Sequence, residues 1–161
     1  MNVTLRTVQD TDRPFLLSVY AGVRAPELEM VDWSDELKAA FIEQQFDAQD
    51  RDYRAHFHDA TLDVILVDGR PAGRLYVDRL PDEIRVVDVA LLPEYRGRGF
   101  GAALLAQLQA EATSSGRCVS LHVERFNPAQ RLYVRLGFEL VEEGPIYLLM
   151  RWPPAHLSGT G

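Results

Sequence analysis

The sequence EIRVVDVALLPEYRGRGFGAALLAQLQAEA, residues 83–112, decides the fold. Its first part, from Ile84 to Leu92, is a nearly continuous aliphatic and β-branched run that predicts a strand buried on both faces. Pro93 ends this strand, and Ala102 to Ala112 is rich in strong helix formers. The glycines in between predict a tight turn at a helix N-terminus, where unpaired N–H groups and the helix dipole favour a phosphate. The stretch therefore predicts a strand, a phosphate-binding turn and a helix.

Two phosphate-binding motifs fit the glycines of this turn. The pattern G-x-G-x-x-A at residues 97–102 satisfies the dinucleotide fingerprint, and Glu124 follows at about the spacing of a ribose-binding acid. However, residues 93–96 separate the turn from its strand, whereas the dinucleotide turn leaves its strand directly. The chain after the helix is also too short for the remaining βα units of that fold. The alternative motif is R-x-x-G-x-G at residues 96–101.

This second motif resembles the signature of the GNAT superfamily of acyl-CoA-dependent N-acyltransferases, in which Arg or Gln is followed by two residues, Gly, one residue, and Gly or Ala. The preceding residues Val89 to Tyr95 also match the usual family wording. A second block, NPAQRLYVRLGF at residues 127–138, resembles the family's last helix and the strand after it. Two blocks in the family's order are far more specific than a single glycine loop. The resemblance covers Val3 to Trp152 in element order, and its specific motifs lie within Val89 to Phe138.

The rest of the chain predicts the other elements from hydrophobic periodicity and turn residues. Pro26 is expected to stop the first helix, and Ser34 to cap the second. Asp68 and Gly69 predict a tight hairpin turn. In order, the predicted elements are a strand at Asn2–Val8, a helix after Asp12, a helix from Ser34 to about Phe57, strands at Thr61–Val67, Gly73–Asp78 and Ile84–Leu92, a helix ended by Gly116, a parallel strand at Arg117–Val123, a short helix at Pro128–Leu136, and strands at Phe138–Val141 and Ile146–Arg151.

The fold class that the resemblance implies is α/β, or mixed α+β. It has a central, mostly antiparallel, strongly twisted sheet of about seven strands with about four helices, and a V-shaped splay between strands 4 and 5. A chain of 161 residues suits one domain. We expect a single N-acetyltransferase domain over residues 1–152 and a flexible C-terminal tail over residues 153–161.

Composition limits the class of protein. Hydrophobic residues make up 47% and charged residues 25%, which is ordinary for a soluble globular chain. No apolar run approaches a membrane span, and the N-terminus lacks a signal pattern, so we expect a cytoplasmic protein with no membrane partner. The net charge of −7 disfavours nucleic acid as a partner. No metal-ligand spacing occurs, and Cys118 reads as a buried small residue rather than a catalytic thiol.

Acetyl-CoA is the cosubstrate that the resemblance implies. Main-chain groups of Val89 and Leu91 would pair with the pantetheine arm as an added strand does. Backbone N–H groups at the helix N-terminus, with the side chain of Arg96 or Arg98, would surround the pyrophosphate. The cofactor-binding residues expected from the resemblance are Val89, Ala90, Leu91, Arg96, Gly97, Arg98, Gly99, Phe100, Gly101, Ala102 and Asn127.

The expected chemistry is direct attack of a primary amine on the thioester in a ternary complex. Tyr133 occupies the family's general-acid position, where a phenol with a pKa near 10 can protonate the leaving thiolate; core packing is its alternative role. The general base stays open among Asp88, Glu83, His122 and Glu124. His122 has the best intrinsic pKa and matches the position of the base in some relatives. Asp88 interrupts an apolar strand, which indicates either a raised pKa or a structural hydrogen bond.

The second helix supplies the expected acceptor side. Gln45, Gln49 and Tyr53 either line the acceptor pocket, as the family's fold implies, or the glutamines are flanking residues with solvated heads. From Glu27 to Asp59, ten acidic residues face three basic ones, and such an acidic lip would favour a cationic amine. Nothing selects between a small-molecule amine and a peptide, and a homodimer is an expectation from the family alone. The alternative function is a non-catalytic acyl-CoA-binding or sensor module.

Overall fold

The computed structural model describes residues 1–153, so all but the first residue of the expected tail lies outside the described part of the chain. This part contains seven strands and four α-helices. In chain order they are β1 (Val3–Thr7), α1 (Arg13–Leu28), α2 (Asp35–His56), β2 (Thr61–Val67), β3 (Arg70–Arg79), β4 (Glu83–Leu91), α3 (Phe100–Ser115), β5 (Cys118–Glu124), α4 (Gln130–Arg135), β6 (Glu139–Glu143) and β7 (Tyr147–Trp152).

The strands form one sheet in the order β1-β2-β3-β4-β5-β7-β6. β4 and β5 are parallel, while β1 with β2, β5 with β7 and β6 with β7 are antiparallel. A parallel neighbour needs a crossover, and α3 supplies it between β4 and β5. The predicted fold class, a mostly antiparallel sheet with about four helices, is therefore confirmed.

One compact unit consists of residues 1–76 and 88–96. In it β1 pairs with β2 from Val3 opposite Val67 to Thr7 opposite Asp63. The hairpin turn after β2 has positive φ at both Asp68 and Gly69, as the Asp-Gly sequence predicts. The two helices of this unit pack on each other through an apolar cluster made of Leu16, Tyr20, Ile42 and Phe46.

The other compact unit consists of residues 77–87 and the chain from Gly97 onward. The parallel register runs from Glu83 opposite Cys118 to Val86 opposite Leu121, and both strands continue beyond that last pair. α3 ends at Gly116, whose φ of 70° is the left-handed value expected of a helix stop. The buried apolar residues of this unit include Ile84, Leu104, Leu105, Leu108 and Met150.

The prediction for the end of α1 is wrong. Pro26 lies inside the helix, which continues to Leu28. A proline removes one hydrogen bond, because it has no N–H, but its φ is compatible with a helix. The last turn is closed by the N–H of Glu29, which donates to the carbonyl of Ala25 at 3.0 Å. A single lost bond close to the C-terminus is therefore tolerated.

The second helix follows its prediction closely, because its N-cap is local. The Ser34 hydroxyl accepts a hydrogen bond from the N–H of Leu37 at 3.2 Å. Other predicted ends differ by a few residues; β3, for example, starts at Arg70 instead of Gly73. None of the helices in residues 1–153 is long and apolar enough to cross a membrane.

Candidate active site

The turn before α3 has the backbone that its glycines require. Gly97 has φ 70° and Gly99 has φ 87°, both in the left-handed region that side chains with a β-carbon rarely adopt. Gly99 is the N-cap of α3 and, being a glycine, contributes no side-chain cap to this helix. A β-carbon built on Gly97 or Gly99 would meet no heavy atom within 4 Å, so the space beside the loop is open. The first N–H groups of α3 can therefore receive an anionic group.

The two arginines of the motif have different contacts. The Nε of Arg96 donates to the carbonyl of Leu91 at 3.0 Å, which ties this side chain to the end of β4. A β-carbon on Gly22 of α1 would lie 3.5 Å from the Nη2 of Arg96. The guanidinium carbon of Arg98 lies 5.3 Å from the ring centroid of Phe100. Both arginines are exposed, and both carry positive charge next to the turn.

Tyr133 lies on α4, which packs along α3. A β-carbon on Gly101 would be 4.0 Å from Leu132, and the side chain of Gln109 donates to the carbonyl of Leu136 at 2.9 Å. The Tyr133 side chain is buried, and its ring centroid lies 5.9 Å from that of Phe138. The structure thus holds the predicted acid by packing, in the same unit as the glycine turn. Its role in proton transfer stays a prediction.

Asn127 organises the start of α4. Its Oδ1 accepts a hydrogen bond from the N–H of Ala129 at 2.9 Å, and its carbonyl accepts one from the N–H of Gln130 at 3.2 Å. The residues before Gln130 therefore form a turn, and α4 is shorter than the predicted Pro128–Leu136. A role for Asn127 toward the cofactor also stays a prediction.

Three of the four candidate bases lie in one unit. His122 is on the exposed side of β5, while Glu83 accepts a hydrogen bond from the Ser120 hydroxyl. Arg85 donates to the same hydroxyl at 2.9 Å. Partial burial lowers the pKa of His122 and the Arg85 guanidinium lowers it further, against the opposing carboxylates of Glu142 and Glu83. His122 is therefore neutral at pH 7, as a base must be. Glu124 is half-buried at the end of β5.

The fourth candidate, Asp88, belongs to a partly buried cluster that joins α2, β3 and β4. We call it the Arg74 cluster; its members are Gln49, Tyr53, Arg74, Tyr76 and Asp88. Arg74 is only 3% exposed, and its Nη2 lies 2.5 Å from the Oδ2 of Asp88. The same Nη2 donates to the Oε1 of Gln49 at 2.9 Å. The rings of Tyr53 and Tyr76 meet edge to face, with centroids 5.7 Å apart.

The expected acceptor residues of α2 separate in the structure. Gln49 is half-buried and its Oε1 accepts a hydrogen bond from Arg74, and the Tyr53 ring packs against that of Tyr76. Gln45, one turn earlier, is exposed. The structure therefore brings Gln49, Tyr53 and Asp88 together, and does not show Gln45 among them.

The Cys118 thiol and the grouping of His, Cys, Asp and Glu side chains complete the description of residues 1–153. Cys118 is half-buried, and burial raises the pKa of its thiol, which favours the protonated, unreactive form. Among residues 1–153, no group of three or more His, Cys, Asp or Glu residues could hold a metal ion.

Comparison with protein families decides the relationship. Residues 27–138 match the model of the acetyltransferase (GNAT) family. The chain belongs to the GNAT family. Its relatives include the ribosomal protein bS18 alanine N-acetyltransferase of Haemophilus influenzae, 37% identical over 62 residues, or 38% of this chain and 42% of that protein. The alignment thus spans less than half of that relative's length.

Two longer likenesses extend over most of this GNAT chain. A Bacillus subtilis protein, named provisionally for the same bS18-alanine acetyltransferase activity, is 28% identical over 123 residues, covering 74% of this chain and 81% of that protein. The PaiA N-acetyltransferase of Thermoplasma acidophilum, solved in complex with coenzyme A, superposes with a TM-score of 0.69 at 18% identity, covering 94% of this chain and 98% of that chain. At 18% identity, the likeness to the PaiA structure concerns the fold alone.

In this GNAT protein, sequence reasoning missed Arg74 and Tyr76. Burial by itself would lower the pKa of Arg74, but Asp88 and the neighbouring tyrosines raise it, so the guanidinium is charged. Burial raises the pKa of Tyr76. A signal for Arg74 was present, because it interrupts the apolar residues of one strand as Asp88 interrupts those of the next. Opposite charges in apolar stretches of successive strands indicate a cross-strand pair.

Proposed function

We propose that this GNAT protein transfers an acetyl group from acetyl-CoA to a primary amine. The observation that carries the proposal is the N-terminal turn of α3, where two left-handed glycines of the R-x-x-G-x-G motif leave open space beside the main chain. We treat residues 1–152 as one acetyltransferase domain, because the family match at residues 27–138 extends through both compact units.

The residues around the turn suit the phosphates and the pantetheine arm of acetyl-CoA. In the proposal, N–H groups from Arg98 to Ala102 receive the pyrophosphate, and the exposed side chains of Arg96 and Arg98 add positive charge. The open space beside Gly97 and Gly99 supports this assignment, because a phosphate must approach the main chain closely. The main chain of Val89 and Leu91 pairs with the amides of the pantetheine arm.

The proposed reaction is a single displacement. The acceptor first loses one proton to water and attacks the thioester carbonyl carbon as a neutral amine; a C–N bond forms, and the C–S bond breaks. His122, neutral at pH 7, accepts the proton that the amine loses. The Tyr133 phenol donates a proton to the departing thiolate of coenzyme A. We assign the base to His122 rather than Asp88, because the Asp88 carboxylate is already ion-paired with Arg74.

For the acceptor we propose a cationic amine, either a small molecule or the amino terminus of a peptide. Part of the acidic segment is compensated, since Arg13 binds Asp47 at 2.8 Å and Arg24 binds Glu27 at 2.9 Å. The start of α2 stays acidic, because exposed carboxylates lie at the end of α1 and around the start of α2. They are Glu29, Asp32, Asp35 and Glu36. This excess supports a positively charged acceptor.

The test is release of free coenzyme A thiol from acetyl-CoA across a panel of amines. The panel contains a polyamine, a peptide with an N-terminal alanine of the kind named for the relatives, a neutral amine and an acidic amine. We expect amine-dependent release that favours cationic acceptors and weakens as salt rises, because exposed charges interact over about 8 to 10 Å at physiological ionic strength. Release with no salt response and a preference for acidic amines would contradict the acceptor assignment.

The second candidate function, an acyl-CoA-binding or sensor module, predicts a different result. Coenzyme A would then bind, but thiol release would not depend on any amine. The buried Tyr133 at the family's acid position favours the enzyme. The homodimer expected from the family resemblance is tested separately by the mass of the protein in solution.

A further inference from the structure

Gly73 of β3 allows an unusually close approach by the end of β4. A β-carbon at Gly73 would lie 2.1 Å from the carbonyl oxygen of Ala90 and 3.0 Å from the α-carbon of Leu91. The nearest obstacle is main chain, which cannot rotate away as the end of a long side chain can. Any residue other than glycine would therefore push this part of β4 out of its place.

The next residue, Arg74, holds the same part of β4 through the contacts of its side chain. Its Nη2 lies 2.5 Å from the Oδ2 of Asp88 and donates to Gln49 at 2.9 Å. Within residues 1–153, the buried Arg74 Nε has no hydrogen-bond partner, and the buried Asp88 Oδ2 meets Arg74 at ion-pair distance without hydrogen-bond angles. Apolar residues of similar volume often stabilise a protein as well as a buried ion pair does. Stability alone therefore does not explain this pair.

The C-terminal end of residues 89–91 of β4 is also fixed. The N–H of Leu92 donates to the carbonyl of Ala72 at 2.8 Å, and Arg96 donates to the carbonyl of Leu91 at 3.0 Å. Residues 89–91 are therefore held by Asp88 at one end and by Leu92 at the other, with Gly73 against their middle.

We propose that Gly73 and Arg74 are positioning residues that set the main chain of residues 89–91 in the direction needed to pair with the pantetheine arm. The inference rests on the proposed function, since acyl-CoA is the ligand. Main-chain groups recognise an extended arm only when their directions are fixed, and rigid support of binding groups is what makes them effective. Asp88 accordingly serves as the partner of Arg74 and not as the base that receives the acceptor's proton.

The main test removes the ion pair without leaving a buried charge. In the double variant Arg74→Met, Asp88→Leu, we expect a melting temperature no lower than that of the wild type. Calorimetry should nevertheless show a Kd for coenzyme A raised by about tenfold or more, since small displacements of a positioned group are costly. The matched control is Arg79→Met, Glu111→Leu, which removes a half-exposed pair that starts on the same strand, with Nε and Oε2 2.6 Å apart; its Kd should stay at the wild-type value.

A second variant separates positioning from proton transfer and serves if the double variant does not fold. Asp88→Asn keeps the side-chain volume and removes the charge that attracts Arg74. It should weaken coenzyme A binding and leave the acid limb of the pH profile of kcat unchanged. Loss of that limb, with normal coenzyme A affinity, would overturn the inference and make Asp88 the base.

The remaining outcomes distinguish this inference from the function on which it rests. If the wild type does not bind coenzyme A, the proposed function fails and the inference fails with it. If the wild type binds coenzyme A and the folded double variant binds it equally well, the positioning role is wrong while the proposed function stands.

Discussion

The turn before α3 and the Arg74 cluster differ in how each is built. The turn consists of main chain, its conformation comes from Gly97 and Gly99 within three residues, and its surface is exposed. The Arg74 cluster consists of side chains from α2, β3 and β4, and Arg74 at its centre is buried. A local turn can recognise a charged group that arrives from water. A buried cluster fixes the directions of the elements that supply it.

The difference predicts that the two regions respond differently to substitution. A change in the turn should remove ligand binding at a smaller cost in stability than a change in the cluster, because few contacts are lost. A single change in the cluster should cost stability first, because it leaves a buried group without its partner. The following predictions test this contrast, beginning with the largest expected effect.

Replacement of Gly99 by Val should abolish coenzyme A binding measured by calorimetry. The β-branched side chain would occupy the open space beside the loop, and a left-handed φ costs such a residue about 1–3 kcal/mol of stability. Gly69→Val is the matched control, because Gly69 also has a positive φ, of 80°, and open space around it. It should show a similar loss of melting temperature and normal affinity. Equal affinities in the two variants would contradict the phosphate-binding role of the turn.

Replacement of Tyr133 by Phe should act on the rate rather than on binding. It keeps the ring that packs against Phe138 and removes the hydroxyl, so kcat should fall by about 10²- to 10⁴-fold with little change in coenzyme A affinity. The measurement is kcat at saturating acetyl-CoA under conditions where chemistry limits the rate. A kcat within about threefold of wild type, well below the usual contribution of a general acid, would leave Tyr133 a packing residue.

Replacement of Arg74 by Met alone should destabilise the protein by about 3–5 kcal/mol, because the Asp88 carboxylate would remain without its cation. Chemical denaturation measures this change in the free energy of unfolding. Arg13→Met is the control, since its pairs with Asp47 and Glu43 are solvent-exposed and should contribute about 1 kcal/mol or less. Similar losses of unfolding free energy in the two variants would show that burial of the Arg74–Asp88 pair does not increase the cost of breaking it.

The pH dependence of kcat/KM gives the smallest expected effect. Because the pKa of His122 is lowered from its usual value near 6.5, protonation of His122 should reduce activity only below that value, so activity should rise with pH there. In Arg85→Gln this rise, the acid limb of the profile, should move to higher pH, since the cation that disfavours His122 protonation is gone. In His122→Gln it should disappear. An acid limb that neither variant changes would exclude His122 as the base.

The parts of the fold that were predictable are those with local causes. Ser34 caps α2, Asp68 and Gly69 turn the hairpin, and Gly116 ends α3, each through conformations that neighbouring residues can dictate. Pro26 shows the limit of such reasoning. Its local effect on α1 is real, but one missing bond near the end did not decide where the helix stops.

The candidate site divides in the same way. The sequence by itself determined the glycine turn, its place at the start of α3 and the family to which the motif belongs, because backbone conformation at glycines depends on a few adjacent residues. Tertiary structure alone decided that Gln49 and Asp88 meet at Arg74, that Gly73 lies against the Ala90 carbonyl, and that Arg85 lies near enough to lower the pKa of His122. These contacts join residues far apart in the chain, so they depend on strand order and helix packing, and no short stretch of sequence specifies either.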